Sequence, residues 1–289
     1  MTCYIFPGQG SQKIGMGDDL FNQFKNETNQ ASDILGYDIQ KLCLEDPNNE
    51  LNQTQFTQPA LFVVSALSYL AHQKENPTQP TFLAGHSLGE YNALFAAKVI
   101  DFETGIKLVQ KRGELMSQAT GGAMAAIIGM SATNIAKTLA SNNLTGIDIA
   151  NFNEPNQTVI SGQENDIKKA QNIFEEAGVR RYIPLAVSGA FHSRYMETAK
   201  NAFETYLESC AFSEPIIPVI ANVTATPYTQ TDIKTLLAKQ ITHSVKWVDS
   251  ITYILNKQET DLIEIGPGKV LTGLINKIKK GIETNAITQ

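Results

Sequence analysis

Cysteine is scarce: Cys3, Cys43 and Cys210 stand far apart with no paired spacing. That suggests neither a disulfide framework nor a zinc site built on cysteine pairs. Positive charge is in deficit too. Lys and Arg number 23 against 29 Asp and Glu, for a formal net charge of −6, which argues against a general nucleic-acid binder with a basic face. No apolar run approaches the roughly 20 residues of a membrane span. Low-complexity tracts, heptads and repeats are missing, and the first residues enter a strand without the basic region of a secretory signal. These absences point to an ordinary globular protein of the cytoplasm. Its 289 residues suffice for one large α/β domain or a domain with a sizeable insertion.

Two nucleotide fingerprints fail as well. The strand Cys3–Phe6 runs into Pro7-Gly8-Gln9-Gly10-Ser11-Gln12. A dinucleotide loop would need a third glycine where Lys13 stands, and a phosphate loop from Gly10 and Gly15 would need lysine at Met16.

What is present is a nucleophile elbow. Phe82-Leu83-Ala84 leads into Gly85-His86-Ser87-Leu88-Gly89, and the amphipathic stretch Tyr91–Ala97 follows. Strand, sharp turn and helix would lift the Ser87 hydroxyl into the open. Leu88 would then offer a backbone N–H at a helix N-terminus, where positive dipole suits a developing oxyanion. If Cys3–Phe6 lies in the same parallel sheet, the Gln9 loop emerges at the same edge and supplies a second donor. A glycine turn without chemistry is the plain alternative for that loop.

Pro59–Leu70 is apolar almost all round and fits a buried helix, and Asp101 is placed to cap a helix from Phe102 to about Gln118. On that helix Lys107, Gln110, Lys111 and Glu114 share one side, whereas Arg112 falls in the middle of the apolar arc. A buried guanidinium must find an anion. An internal salt bridge or a side chain snorkelling outward is the commoner fate, but the planar fork also matches a substrate carboxylate. After the hinge Thr120-Gly121-Gly122, strands at Met124–Met130, Gly146–Phe152, Gln157–Gly162 and Arg180–Val187 alternate with helices at Ala132–Ser141 and Glu164–Ala177. The order β-α-β-β-α-β marks a ferredoxin-like unit. The boundaries expected are 123–189 for this small subdomain, with 1–122 and 190–289 forming the large one.

The chain leaves the small unit through Ser188-Gly189-Ala190-Phe191-His192-Ser193. Of the four histidines, His86 belongs to the elbow, His72 to a polar helix end and His243 to a turn before Trp247. His192 is the candidate base, because an exposed elbow serine requires one. Strand-like Ile217–Asn222 and Asp261–Ile265, with helices from Ile233, Val248 and Val270, complete the large part.

Several blocks in order resemble the malonyl-coenzyme A:acyl carrier protein transacylase family: residues 6–12, 85–91, Lys-Arg-Gly-Glu-Leu-Met (111–116), Ala-Phe-His-Ser (190–193), Ala-Asn-Val-Thr-Ala (221–225) and 264–274. The resemblance covers nearly the whole chain. It implies an α/β fold, an α/β-hydrolase-like large subdomain with an inserted ferredoxin-like small one, and an active site between them. It also implies Ser87 as nucleophile and His192 as base, with the backbone carbonyl of Gln240 orienting the histidine. The N–H groups of Gln9 and Leu88 would form the oxyanion hole, and Arg112 would hold the malonyl carboxylate. Phe191 resembles the bulky residue of malonyl-specific relatives; methylmalonyl-specific ones tend to carry Ser there.

The implied activity is malonyl transfer from malonyl-CoA to the phosphopantetheine thiol of an acyl carrier protein. No metal or cofactor of its own is implied, nor any nucleic acid or membrane partner. The stretches 53–61, 92–97 and 101–105 look more like stand-alone, trans-acting acyltransferases of polyketide synthases than like fatty-acid enzymes. Docking of an acidic carrier would need a basic patch, for which Lys277, Lys279 and Lys280, or Arg180 and Arg181, are candidates. A thioester hydrolase shares the elbow and the histidine but has no use for a buried cation. A non-catalytic scaffold has no use for the three residues together.

Overall fold

The structure is a computed structural model and describes residues 2–287. The chain opens with β1 (Thr2–Phe6), followed by the short helices α1 (Asp18–Gln23), α2 (Lys25–Leu35) and α3 (Ile39–Leu44). Next come α4 (Thr54–Glu75), β2 (Leu83–Gly85), α5 (Gly89–Ala96) and α6 (Phe102–Ser117). Helix α4 starts before the expected Pro59, which sits inside it. The proline forfeits only the bond to the Gln55 carbonyl. Thr57 anchors the added turn, its Oγ1 donating to the Leu51 carbonyl at 2.6 Å. Asp101 caps α6 as anticipated, accepting the Thr104 N–H at 2.7 Å.

The small sheet holds β3 (Gly122–Ile128), β4 (Ile147–Glu154), β5 (Gln157–Gln163) and β6 (Arg181–Pro184), with α7 (Ala132–Ser141) and α8 (Glu164–Glu176) between them. Its order is β4-β5-β3-β6, antiparallel throughout. Side chains alternate across it. Ala125 and Ile127 pack under α7 and α8, whereas Met124 and Ala126 join the main core. Strand β6 ends at Pro184, short of the expected Val187: the Leu185 N–H still reaches the Met124 carbonyl at 2.9 Å, but the Val187 N–H turns back to the Leu185 carbonyl at 2.9 Å and leaves the ladder. Leu185 and Val187 instead reach the cavity described below.

The chain then forms α9 (Glu197–Glu208), β7 (Val219–Ile220), α10 (Ile233–Gln240), α11 (Trp247–Asn256), β8 (Asp261–Glu264) and α12 (Val270–Ile287). Strand β7 keeps two residues of the expected six, since the Ala221 N–H turns to the Thr226 carbonyl at 2.9 Å. The large sheet is parallel, in the order β7-β2-β1-β8. Both its faces are covered, as parallel sheets require. Tyr4 and Phe6 face the core shared with α4, α5 and α6, whereas Cys3 and Ile5 face Trp247 of α11 and Leu271 of α12. The result is an α/β fold of two parts, one built on the parallel sheet and the other on the antiparallel sheet. Phe6 pairs with Gly85, so the loops after β1 and β2 leave at one edge, side by side.

Candidate active site

The elbow depends on close backbone approach. A Cβ on Gly85 would lie 1.9 Å from the Gly89 carbonyl carbon, and one on Gly89 would lie 2.1 Å from the Phe6 carbonyl oxygen. Only glycine fits at either end, which draws α5 against β1 and throws Ser87 into the left-handed region at φ 52°. His192 is held in the same region, at φ 57°. Backbone strain of about 1–3 kcal/mol at each is characteristic of sites that fix a reactive side chain. Asn222 clamps the elbow: its Oδ1 accepts the Ser87 N–H at 2.7 Å, and its Nδ2 donates to the Gly85 carbonyl at 2.7 Å.

Ser87 Oγ and His192 Nε2 are 2.8 Å apart. On the other side of the ring, Nδ1 lies 2.7 Å from the Gln240 carbonyl oxygen. A carbonyl only accepts, so Nδ1 carries the proton and Nε2 offers its lone pair to Ser87. Burial, and then the Arg112 charge, push His192 down to about 3. The ring is therefore neutral and ready to accept a proton at neutral pH.

Arg112 is 1% exposed, on the inward side of α6. Neither commoner fate applies: the side chain does not snorkel out, and among the described residues no carboxylate pairs with it directly. Nη1 donates to Gln58 Oε1 at 2.7 Å, while Nη2 donates to Gln240 Oε1 at 2.8 Å and to Ser87 Oγ at 3.2 Å. These three bonds engage three of five N–H donors and leave two. The guanidinium also lies 5.7 Å from the Tyr91 ring centroid, within cation–π range. Burial pulls its pKa below the ordinary value, against the pull of Tyr91 and Glu90.

A cavity of about 100 Å³ joins these groups, lined by Gln9, Ser87, Leu88, Arg112, Phe191 and His192 and walled on the small-sheet side by Met124, Asn151, Leu185 and Val187. Gln9 side-chain Oε1 is held by Thr54 Oγ1 at 2.9 Å. Among the described residues, the backbone N–H groups of Gln9 and Leu88 have no hydrogen-bond partner. Phe191 is buried and narrows the cavity. Of the remaining histidines, His86 bonds Asn153 Oδ1 at 2.8 Å and packs on Trp247, and His72 packs edge-on against Tyr4. His243 lines a surface groove on the other side of His192.

The basic candidates lie elsewhere. Arg180, Lys277 and Lys280 share a separate groove, Lys277 pairs with Glu154 at 3.2 Å, and Lys279 donates to the Thr260 carbonyl. Arg181 is exposed on β6. None lines the cavity. Sequence reasoning overlooked Gln58, Glu90, Asn222 and Tyr228. Gln58 could have been flagged as an amide inside the apolar run of α4, and Asn222 as the amide in a motif block. Among the described residues no cluster of His, Cys, Asp and Glu could hold a metal ion, and no helix is long and apolar enough to cross a membrane.

The model of the acyl transferase domain family matches residues 3–287. The polyketide biosynthesis malonyl CoA-acyl carrier protein transacylase PksC of Bacillus subtilis is 57% identical, over 98% of this chain and 99% of that protein. A second malonyl CoA-acyl carrier protein transacylase of the same organism is 40% identical, over 99% of this chain and 93% of the relative. A crystal structure of such a transacylase from Burkholderia pseudomallei superposes with a TM-score of 0.94 at 49% identity, covering 97% of this chain and 98% of that one.

Proposed function

The chain belongs to the acyl transferase domain family, and on that footing we propose that it is a malonyl-CoA:acyl carrier protein transacylase serving polyketide biosynthesis. One observation carries the reading: the Arg112 guanidinium is buried 3.2 Å from the hydroxyl that His192 is placed to activate. Greater identity to the polyketide enzyme than to the second transacylase of the same bacterium favours the polyketide role over fatty-acid synthesis.

In the first half-reaction His192 Nε2 takes the Ser87 proton as Oγ attacks the malonyl thioester carbonyl. Charge gathers on the carbonyl oxygen, within reach of the Gln9 and Leu88 N–H groups. The C–S bond breaks, the coenzyme A sulfur takes the proton back from His192, and malonyl remains as an ester on Ser87. In the second half the carrier's phosphopantetheine thiol gives its proton to His192, and its sulfur attacks the ester. The C–O bond breaks and Ser87 recovers its proton. The Gln240 carbonyl keeps the imidazole in the working tautomer throughout. The scheme calls on no metal or cofactor of the chain's own, and malonyl-CoA and an acyl carrier protein as substrates fit a cytoplasmic setting.

Arg112 acts twice in this scheme. Its free donors suit a terminal carboxylate, which would replace the Ser87 contact with a charge-assisted pair. Its positive charge also disfavours the imidazolium that each half-reaction forms, and a bound carboxylate offsets that charge. A neutral acetyl group does neither.

Incubation with malonyl-CoA followed by intact mass measurement tests the reading. A durable malonyl adduct, absent from Ser87→Ala, is expected; rapid turnover of neutral acyl groups to free acid would identify a thioester hydrolase instead.

A further inference from the structure

Glu90 sits in the first turn of α5, three residues after Ser87, and is fully buried. The transfer scheme gives it no task. Its surroundings are nevertheless specific, because each of its three hydrogen-bond partners is a donor. The Asn222 N–H reaches Oε1 at 3.1 Å, the Tyr228 hydroxyl donates to the same oxygen, and Gln240 Nε2 donates to Oε2. A carboxylate can only accept. Gln240 must therefore turn its NH2 toward Glu90, where it also meets the Ser87 carbonyl at 2.9 Å. The other end of the same carboxamide, Oε1, is thereby aimed at Arg112 Nη2, 2.8 Å away. Flipping the amide would set donor against donor on the guanidinium.

We infer that Glu90 is a positioning residue for acyl selection: it fixes the sense of the Gln240 carboxamide and through it holds Arg112 beside Ser87 to receive a carboxylate-bearing acyl group. The inference rests on the malonyl reading above. The competing role is a plain brace, since Asn222, which clamps the elbow, also leans on Glu90. A brace would serve every acyl group alike.

The ionised state matters to this arrangement. Burial raises Glu90 to about 7, against the opposing pull of Tyr228, Asn222, Gln240 and Arg112. The other ionisable groups that face it are Arg112 from α6, Tyr91 on its own helix and Tyr228 from the segment after β7, with His192 beyond Arg112. Tyr91 and Tyr228 are pushed up by burial and His192 is pushed down to about 3. Glu90 is then the group of this set that changes charge between pH 6 and 8. Protonation withdraws the negative charge that fixes the sense of the amide, and a proton on Oε2 would face the Gln240 NH2 donor to donor.

The test is the ratio of malonyl to acetyl loading, as kcat/KM for acyl-Ser87 formation, in the wild-type protein and Glu90→Gln. The variant should lose malonyl loading by about ten-fold more than acetyl loading, the worth of one charge-assisted hydrogen bond. In the wild type the ratio should fall as pH is lowered from 8 to 6, and in Glu90→Gln it should be flat. Equal losses for both acyl groups, or a wild-type ratio level across that range, would overturn the inference. If the variant does not fold, the wild-type profile alone decides. Failure of the wild type to form any malonyl adduct would instead overturn the malonyl reading itself, together with this extension of it.

Discussion

The Gln240 backbone carbonyl accepts the Nδ1–H of His192 at 2.7 Å, in the place where many serine enzymes use a carboxylate. A neutral acceptor fixes the tautomer without adding negative charge beside the imidazole. It leaves His192 exposed to the field of Arg112, and the acyl group's own charge then completes the site.

His192→Ala should lower Ser87 acylation by about 10²–10⁴-fold, the usual contribution of a positioned base. Rapid-quench loading measures it, and near-normal rates would place the base elsewhere.

The low pKa of His192 has two consequences. Loading of an uncharged acyl group should run level from pH 8 down through 6, with no break near the ordinary histidine value of about 6.5. In stability, His192 is neutral in the fold down to about 3, whereas in the unfolded chain it takes a proton near 6.5. Its contribution is therefore present above pH 6.5 and lost as pH falls toward 3. Glu90 runs the opposite way, its contribution complete below the ordinary carboxyl value of 4.5 and lost as pH rises through about 7. Chemical denaturation of the wild type and His192→Ala at pH 7.5 and 4.5 should show a smaller stability difference at the lower pH.

Phe191→Ser should open the cavity beside His192 and admit a branched malonyl group. Removing a buried ring should cost roughly 3–5 kcal/mol at the upper end, less where the site collapses. Competition between malonyl- and methylmalonyl-CoA reads the first effect, and thermal melting reads the second.

The elbow was legible because sterics act within five residues: Gly85 and Gly89 bracket Ser87, and each glycine is forced by a backbone atom close to it. The small subdomain was legible because its alternating elements are local. Arg112 stood out as a charge on an apolar arc, but its partners did not, for Gln58 and Gln240 lie 54 and 128 residues away. Nothing in the sequence set Glu90 apart from the other residues of block 85–91. Its task emerges only once Asn222, Tyr228 and Gln240 are brought to it from more than 130 residues along the chain. Periodicity shows that such a group is buried, and only the tertiary fold shows what it faces. Strands β6 and β7 came out shorter than hydrophobicity suggested, because local turn bonds, Val187 N–H to the Leu185 carbonyl and Ala221 N–H to the Thr226 carbonyl, stop their ladders.

The most direct test of the account is loading of the wild type and Arg112→Ala with malonyl- and acetyl-CoA, followed as acyl-Ser87 in single-turnover mass measurements. The account predicts that the variant loses malonyl loading by about 100-fold, as expected for a buried charge-assisted pair worth up to ~3 kcal/mol, while acetyl loading rises. Equal losses for both acyl groups would show that Arg112 only supports the fold, and would contradict the assignment of this site to malonyl transfer.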